Sequence, residues 1–271
     1  MKCPKCQAEN DAGAKFCTEC GASLQQGAMN ATGAAKLATN TGFTFGPAAR
    51  KARISEMVDP NAIISARAYN GVIVGVLLWG LLVNFLLCKY AADFAERLNP
   101  WVLIIGYLVL AISGMVIASK SHKPGISFLG YNMVAVPFGL IISVIVKHYG
   151  GLESDVVMHA FLYTLLISVG MMALVMIVPQ FFAKLGGVLA GALLGAVLCE
   201  IVLLIFHVDQ SFMDWIIAVI FSLYIGYDFW RSQQLAPTVG NAILSACEIY
   251  VDMVNLFIRL LEIFGNSKSS N

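Results

Sequence analysis

The sequence predicts an all-α membrane protein: a seven-transmembrane-helix bundle with a central last helix, preceded by a small cysteine-rich module. Three observations predict it. Of 271 residues, 59% are hydrophobic and only 12% are charged, about half the roughly 25% charge of a typical soluble domain. Seven apolar stretches of near-spanning length follow one another, separated by breakers and charges. The last of them carries a polar seam that lipid cannot accommodate. The net charge of +1 hides a segregated distribution, because nearly all charges lie before Tyr69, in the gaps, or on the final stretch. The expected partner is the lipid bilayer, and no nucleic acid is expected.

Residues 1–24, MKCPKCQAENDAGAKFCTECGASL, form a C-x2-C-x10-C-x2-C array of Cys3, Cys6, Cys17 and Cys20. Each pair closes a tight knuckle whose thiolates span one edge of a tetrahedron; Pro4 stiffens the first and Gly21 permits the turn after the second. Paired dithiols at a cytosolic terminus favour metal over disulfides. Four thiolates suit Zn²⁺ at a closed structural site with no position left open for catalysis. The site carries about −2 charges once Zn²⁺ is bound, and Lys2, Lys5 and Lys15 stand close in sequence to offset them. A module this small has no adequate core, so metal binding is largely its folding energy. The array is similar to the short zinc ribbons often fused to bacterial proteins. Cys88, Cys199 and Cys247 fall inside apolar stretches, where a thiol behaves as a small hydrophobe.

Residues 25–66 are read as a linker and basic juxtamembrane segment. The part from 25 to 45, rich in Gly, Ala, Thr and Asn, lacks an apolar period and tethers the module about 25 Å from its anchor. Arg50, Lys51 and Arg53 then lead either into a solvated approach or into a helix lying on the membrane surface.

The membrane domain, 67–265, contains apolar stretches at 69–88, 101–118, 126–146, 157–178, 186–206, 213–232 and 242–264, and a short tail, 266–271, follows. A hydrocarbon core needs about 20 helical residues. The stretches lack strand alternation, and backbone polar groups in lipid must be satisfied internally, so helices are expected. With the N-terminus inside, the inner flanks hold Arg50, Lys51, Arg53, Arg67, Lys120, Lys123, Lys184 and Arg231, against Lys89, Arg97, Lys147 and Lys268 outside. That basic excess, and the absence of a signal peptide at the start, predict a cytoplasmic N-terminus, an outer C-terminus and residence in a bacterial inner membrane. Gly187, Gly191 and Gly195 repeat at four-residue steps, which predicts close helix packing in the core or at a dimer face. Pro137 stands inside the third stretch, and Glu200 is an intramembrane acid with no evident partner.

In the final stretch Asn241, Ser245, Glu248, Asp252, Asn255, Arg259, Glu262 and Asn266 are spaced 4, 3, 4, 3, 4, 3 and 4 apart. On a helix this is one continuous seam, drifting about 20° per heptad. A charge at bilayer centre costs about 3 kcal/mol on insertion scales, so the seam must look into a bundle or a wet cavity rather than at lipid. Asp228, near the inner end of the sixth stretch, is returned by a short loop toward the start of the seventh, where it can approach Asp252. Two carboxylates about 4 Å apart repel by roughly 4 kcal/mol at an effective dielectric near 20, about three pK units. Such a pair shares one proton; losing it drives the helices apart or recruits a cation, and hard oxygen ligands suit Ca²⁺. The plainer alternative is a pair of helix-packing residues with satisfied side chains.

The stretch IFSLYIGYDFWRSQQLAPTVGNAILSACEIYVDMVNLFIRLLEIFG resembles the C-terminal signature of the Bax inhibitor-1 (transmembrane Bax-inhibitor-motif) family. The matching pieces are Tyr227–Asp228, the 24-residue step to Asp252, Y-x-D-x-x-N-L-F from Tyr250 to Phe257, and the closing Ile263, Phe264 and Gly265. The resemblance implies a seven-helix fold with a surrounded last helix, and a pH-sensitive Ca²⁺ leak rather than an enzyme. The family's aspartate pair falls on Asp228 and Asp252, with Glu248, Asn255, Arg259 and Glu262 along the same ion pathway. The family often carries an arginine near the inner end of the second span; here that region reads ASKSHKPG, which leaves Lys120, His122 or Lys123. Two other functions compete. One is a non-conducting regulator that binds another membrane protein, with the ribbon as docking module. The other is a di-aspartyl intramembrane protease, against which stand Y-V-D in place of G-x-G-D at the second Asp and the lack of a later P-A-L.

Overall fold

A computed structural model of the chain describes residues 2, 8–10, 59–121, 123–206 and 211–269. The expectations for Cys3, Cys6, Cys17 and Cys20, for the 25–45 linker, for the basic residues 50–53 and for His122 fall outside the described residues. The helices are α1 (Ala66–Tyr90), α2 (Ala92–Arg97), α3 (Pro100–Lys120), α4 (Pro124–His148), α5 (Asp155–Ile177), α6 (Pro179–Ala183), α7 (Gly186–Ile205), α8 (Ser211–Ser232) and α9 (Val239–Ser269). Among the described residues the extended backbone is confined to isolated bridges, such as Ile63 with Thr238. Residues 60–62 form a single 3-10 turn, so the part of the juxtamembrane segment that is described holds no longer helix.

Local chemistry sets the boundaries. The Ser65 hydroxyl accepts a hydrogen bond from the Ala68 amide and starts α1. Asn99 caps Trp101, with Pro100 in the first turn of α3, where a missing N–H costs nothing. Gly150 and Gly151, at φ +96° and +81°, turn the chain after α4 in a region that only glycine enters freely. Two gaps expected to hold only breakers and charges contain short helices instead. The first, α2, is tied to the end of α4 by Lys147, which donates to Asp93 at 2.6 Å and to Glu96. That ammonium holds the exposed Asp93 carboxyl below its ordinary range.

Among the described residues six helices, α1, α3, α4, α5, α7 and α8, are long and apolar enough to cross a membrane. Their outer faces expose Leu78, Trp101, Ile105, Val169, Leu198 and many like them, a belt that would aggregate in water and is the solvent face in lipid. The seventh long helix, α9, has 31 residues and carries the polar seam. It packs against α1, α3, α4, α5 and α8, and Ala246, Cys247, Ile249, Tyr250 and Leu256 on it have no exposed surface. The central position predicted for it follows from the cost of facing charge to lipid. At mid-height Tyr250 meets Tyr131 of α4 edge-on, 5.5 Å between ring centroids. The Tyr250 hydroxyl donates to Asn84 of α1 at 2.8 Å, and Tyr131 donates to the Val76 carbonyl at 3.0 Å. Gly80 makes room for both rings.

Helices α3 and α4 cross at Gly114 and Gly130, where a Cβ on either would lie 2.5 Å from the other's carbonyl oxygen. The core packing predicted for Gly187, Gly191 and Gly195 does not occur among the described residues of the chain, since a Cβ added at each meets nothing within 4 Å; the dimer-face alternative is untouched by this. Helix α7 packs on α8 by another face, and its glycine stripe points away from it. Gly114→Val is therefore expected to destabilise by at least about 1–3 kcal/mol, read as a lower unfolding temperature in detergent. Gly191→Ala, which only adds helix propensity, is expected to be neutral or slightly stabilising.

Candidate functional site

The site is built at the hairpin between α8 and α9. Asp228 and Arg231, three residues apart, occupy one face of the last turns of α8. The connection is pinned on several sides. Asn241 donates through Nδ2 to the Ala236 carbonyl at 2.8 Å, and its amide donates to the Thr238 hydroxyl at 3.2 Å. The Ile64 amide donates to the Pro237 carbonyl at 2.8 Å. Tyr69 donates to the Ser232 carbonyl at 3.0 Å and stands 3.3 Å from the Ser245 hydroxyl. With the loop held this way, the first turns of α9 carry Glu248 to the Arg231 guanidinium.

Arg231 Nη2 lies 2.7 Å from Glu248 Oε2 and 2.9 Å from Oε1; Nη1 lies 3.5 Å from Asp228 Oδ1. Asp252 stands one turn beyond Glu248 on the same face of α9. Asp228 and Arg231 are each 3% exposed, and Glu248 and Asp252 each 7%. Asp228, Arg231 and Glu248 thus meet at the low-dielectric junction of α8 and α9, and the buried Asp252 extends it by one turn of α9. With every group ionised the junction carries two excess negative charges, a load that burial penalises and that a proton or a cation relieves.

A second charged group lies farther along α9, about 16 Å away at 1.5 Å per residue. Arg259 Nη1 is 2.8 Å from Glu200 of α7, 2.9 Å from Asp214 of α8 and 3.1 Å from Glu262. Glu200, for which the sequence offers no partner, is thereby accounted for. Asp214, 6% exposed, is a member that sequence reasoning missed; it stands where a gap was expected to end, and only the fold turns it inward. Asn255, between the two groups, donates to its own helix at the Val251 carbonyl, 2.8 Å, and joins neither. The seam therefore divides: Asn241 and Ser245 brace the hairpin, Glu248 enters the first charged group with Asp252 buried one turn beyond it, and Arg259 and Glu262 enter the second. Asn266 is exposed. Among the described residues no group of three or more His, Cys, Asp or Glu side chains is disposed to hold a metal ion.

Residues 25–269 match the family model described as inhibitor of apoptosis-promoting Bax1. The chain belongs to the Bax inhibitor-1 family. Residues 2–24 match a separate model, a zinc-ribbon domain. Bax inhibitor 1 of Schizosaccharomyces pombe is 25% identical over 182 residues, 65% of this chain and 65% of the yeast protein. The inner membrane protein YbhL of Escherichia coli K12 is 23% identical over 238 residues, 80% of this chain and 98% of that protein.

In this member of the Bax inhibitor-1 family, one basic residue paired with the buried acids lies on α8 itself. Lys120 and Lys123, the candidates at the inner end of α3, are exposed. Arg231 takes the position beside Asp228 and Glu248, having been read from sequence only as a flanking charge that sets orientation. Its i, i+3 relation to Asp228 was the available signal. Arg231→Met leaves the acids buried without their cation and is expected to cost about 3–5 kcal/mol at neutral pH, read as a drop in unfolding temperature. The loss is expected to shrink in acid, as the carboxyls neutralise, and to be largely recovered in Arg231→Met/Glu248→Met.

Proposed function

We propose that this protein is a pH-sensitive cation leak, for Ca²⁺ in the first instance, gated by protonation of the acids at the α8–α9 junction. The observation that carries the reading is the burial of Asp228 and Glu248 about the Arg231 guanidinium, with Asp252 buried one turn farther along α9, between a surrounded helix and its hairpin partner. Asp228 and Asp252 are the switch. While a proton is shared between them, α8 and α9 stay together; when it leaves, carboxylate repulsion of about 4 kcal/mol at 4 Å opens the junction or draws in a cation. Arg231 is the latch that holds α8 to Glu248 of α9. Glu248, Asn255, Arg259 and Glu262 mark the path along α9, with the ion-paired Arg259 and Glu262 as a constriction toward its far end. In this reading α9 is the seventh crossing, the N-terminus lies in the cytoplasm of a bacterial cell, and the acids carry protons and cations without cleaving bonds.

Cys3, Cys6, Cys17 and Cys20 are assigned to a structural Zn²⁺. The zinc-ribbon match over residues 2–24 supports this, as does a donor set of four thiolates, which leaves the metal closed to substrate. That ribbon, matched separately from the membrane domain, also favours a second reading, in which it docks the membrane part onto another membrane protein.

In liposomes carrying a Ca²⁺ indicator, Asp252→Asn and Asp228→Asn are each expected to abolish the pH dependence of Ca²⁺ entry. A parent-like pH response in both variants excludes the switch. Removal of Zn²⁺ by a chelator is expected to make residues 1–24 protease-sensitive and to leave the leak intact. A stoichiometric membrane-protein partner lost on deleting residues 1–24, with no Ca²⁺ flux in the parent, would decide for the docking reading.

A further inference from the structure

The two charged groups do not account for an apolar opening elsewhere among the described residues. Helices α1 and α5 each pack on α9 but not closely on one another, and the gap between them is a cleft of about 480 Å³, within the roughly 300–1,000 Å³ of ligand pockets. Its floor is α9, at Met253, Val254 and Phe257, and Ile142 and Val146 of α4 form the back wall. Its mouth lies among Leu78, Leu82 and Phe85 of α1 and Met158 and Phe161 of α5, all on the exposed apolar belt. The cleft thus opens sideways into lipid.

Its chemistry selects the occupant. Asn84 and Thr164 are the polar side chains of its lining, and both are already engaged. Asn84 accepts from Tyr250, and Thr164 donates to the Ala160 carbonyl at 2.7 Å. A bound water needs two to four polar partners, and only these two side chains of a lining otherwise made of aliphatic, aromatic and sulfur-bearing residues offer any, while a void there forfeits dispersion contacts along every wall. On α1 the lining runs from Leu78 to Cys88, about 15 Å of helix, half of a hydrocarbon core about 30 Å thick. Leu152, in the turn after α4, closes the end nearer the surface. The depth is that of one leaflet.

We propose that this cleft is a binding site for one acyl chain of a membrane phospholipid, which enters between α1 and α5 and lies against Met253, Val254 and Phe257 of α9. The site does not depend on the leak reading, although its occupant touches the helix that carries Asp252.

The test uses the full chain in vesicles containing a phospholipid with a photoreactive diazirine in mid-chain, followed by peptide mapping. Adducts are expected on Met253, Val254 or Phe257, besides those on belt residues such as Val109 and Leu198. Leu165→Trp, which puts bulk into the cleft, is expected to lower the α9 adducts at least about fivefold while leaving those on the belt. Adducts confined to the belt in the unsubstituted chain would overturn the proposal. So would rapid modification of Cys88 by a charged, membrane-impermeant thiol reagent, which would make the cleft a water-filled vestibule. The mapping on the unsubstituted chain decides even if the tryptophan variant fails to fold.

Discussion

Charge cannot stand unpaired in hydrocarbon, and the arrangement of this protein follows from where its charges are put. Helix α9 carries acids and an arginine along a seam that would be ruinous on a lipid-facing surface. Five helices gather round it, and each end of the seam acquires partners from neighbouring elements. The Arg231–Glu248 contact at 2.7 Å is the central instance. A buried ion pair adds little net stability, since desolvation offsets most of the attraction, but leaving either member alone is costly. Its effect is to set one register of α8 against α9.

That register has structural support independent of charge. The hairpin is held by Asn241, Thr238 and Tyr69, and by the Ile64 amide that reaches back to Pro237. The Tyr131–Tyr250 contact over Gly80 locks α1, α4 and α9 at mid-height. The junction is stiff where helices touch through glycine and aromatic rings. It is charged where Asp228 and Glu248 flank the Arg231 guanidinium. In the proposed leak, stiffness at one level and electrostatic strain at the other make a proton-dependent opening local, rather than a general loosening of the bundle.

The charged group around Arg259 joins α7, α8 and α9 and places three acids about one arginine, as the first places two. The two differ in access. Arg231 is almost fully enclosed, whereas the Arg259 side chain is 23% exposed. In the proposed leak, the enclosed group is the one that protonation acts on, and the partly open one is where ions and water exchange.

Much of this was legible in the amino-acid order. Hydropathy and length located the long helices, because lipid imposes a minimum span and forbids unsatisfied backbone. The 4, 3, 4, 3 spacing announced α9 as the helix that must be enclosed, because periodicity is a local property. Asp228 and Asp252 stood out as acids in apolar stretches for the same reason. Partner choice was a different matter. That Arg231 meets Asp228 and Glu248, that Glu200 and Asp214 converge on Arg259, and that the glycine stripe of α7 meets no neighbour within the described chain all depend on how whole helices rotate and tilt. Those rotations are settled by packing summed over many side chains from distant segments, and no local spacing encodes them.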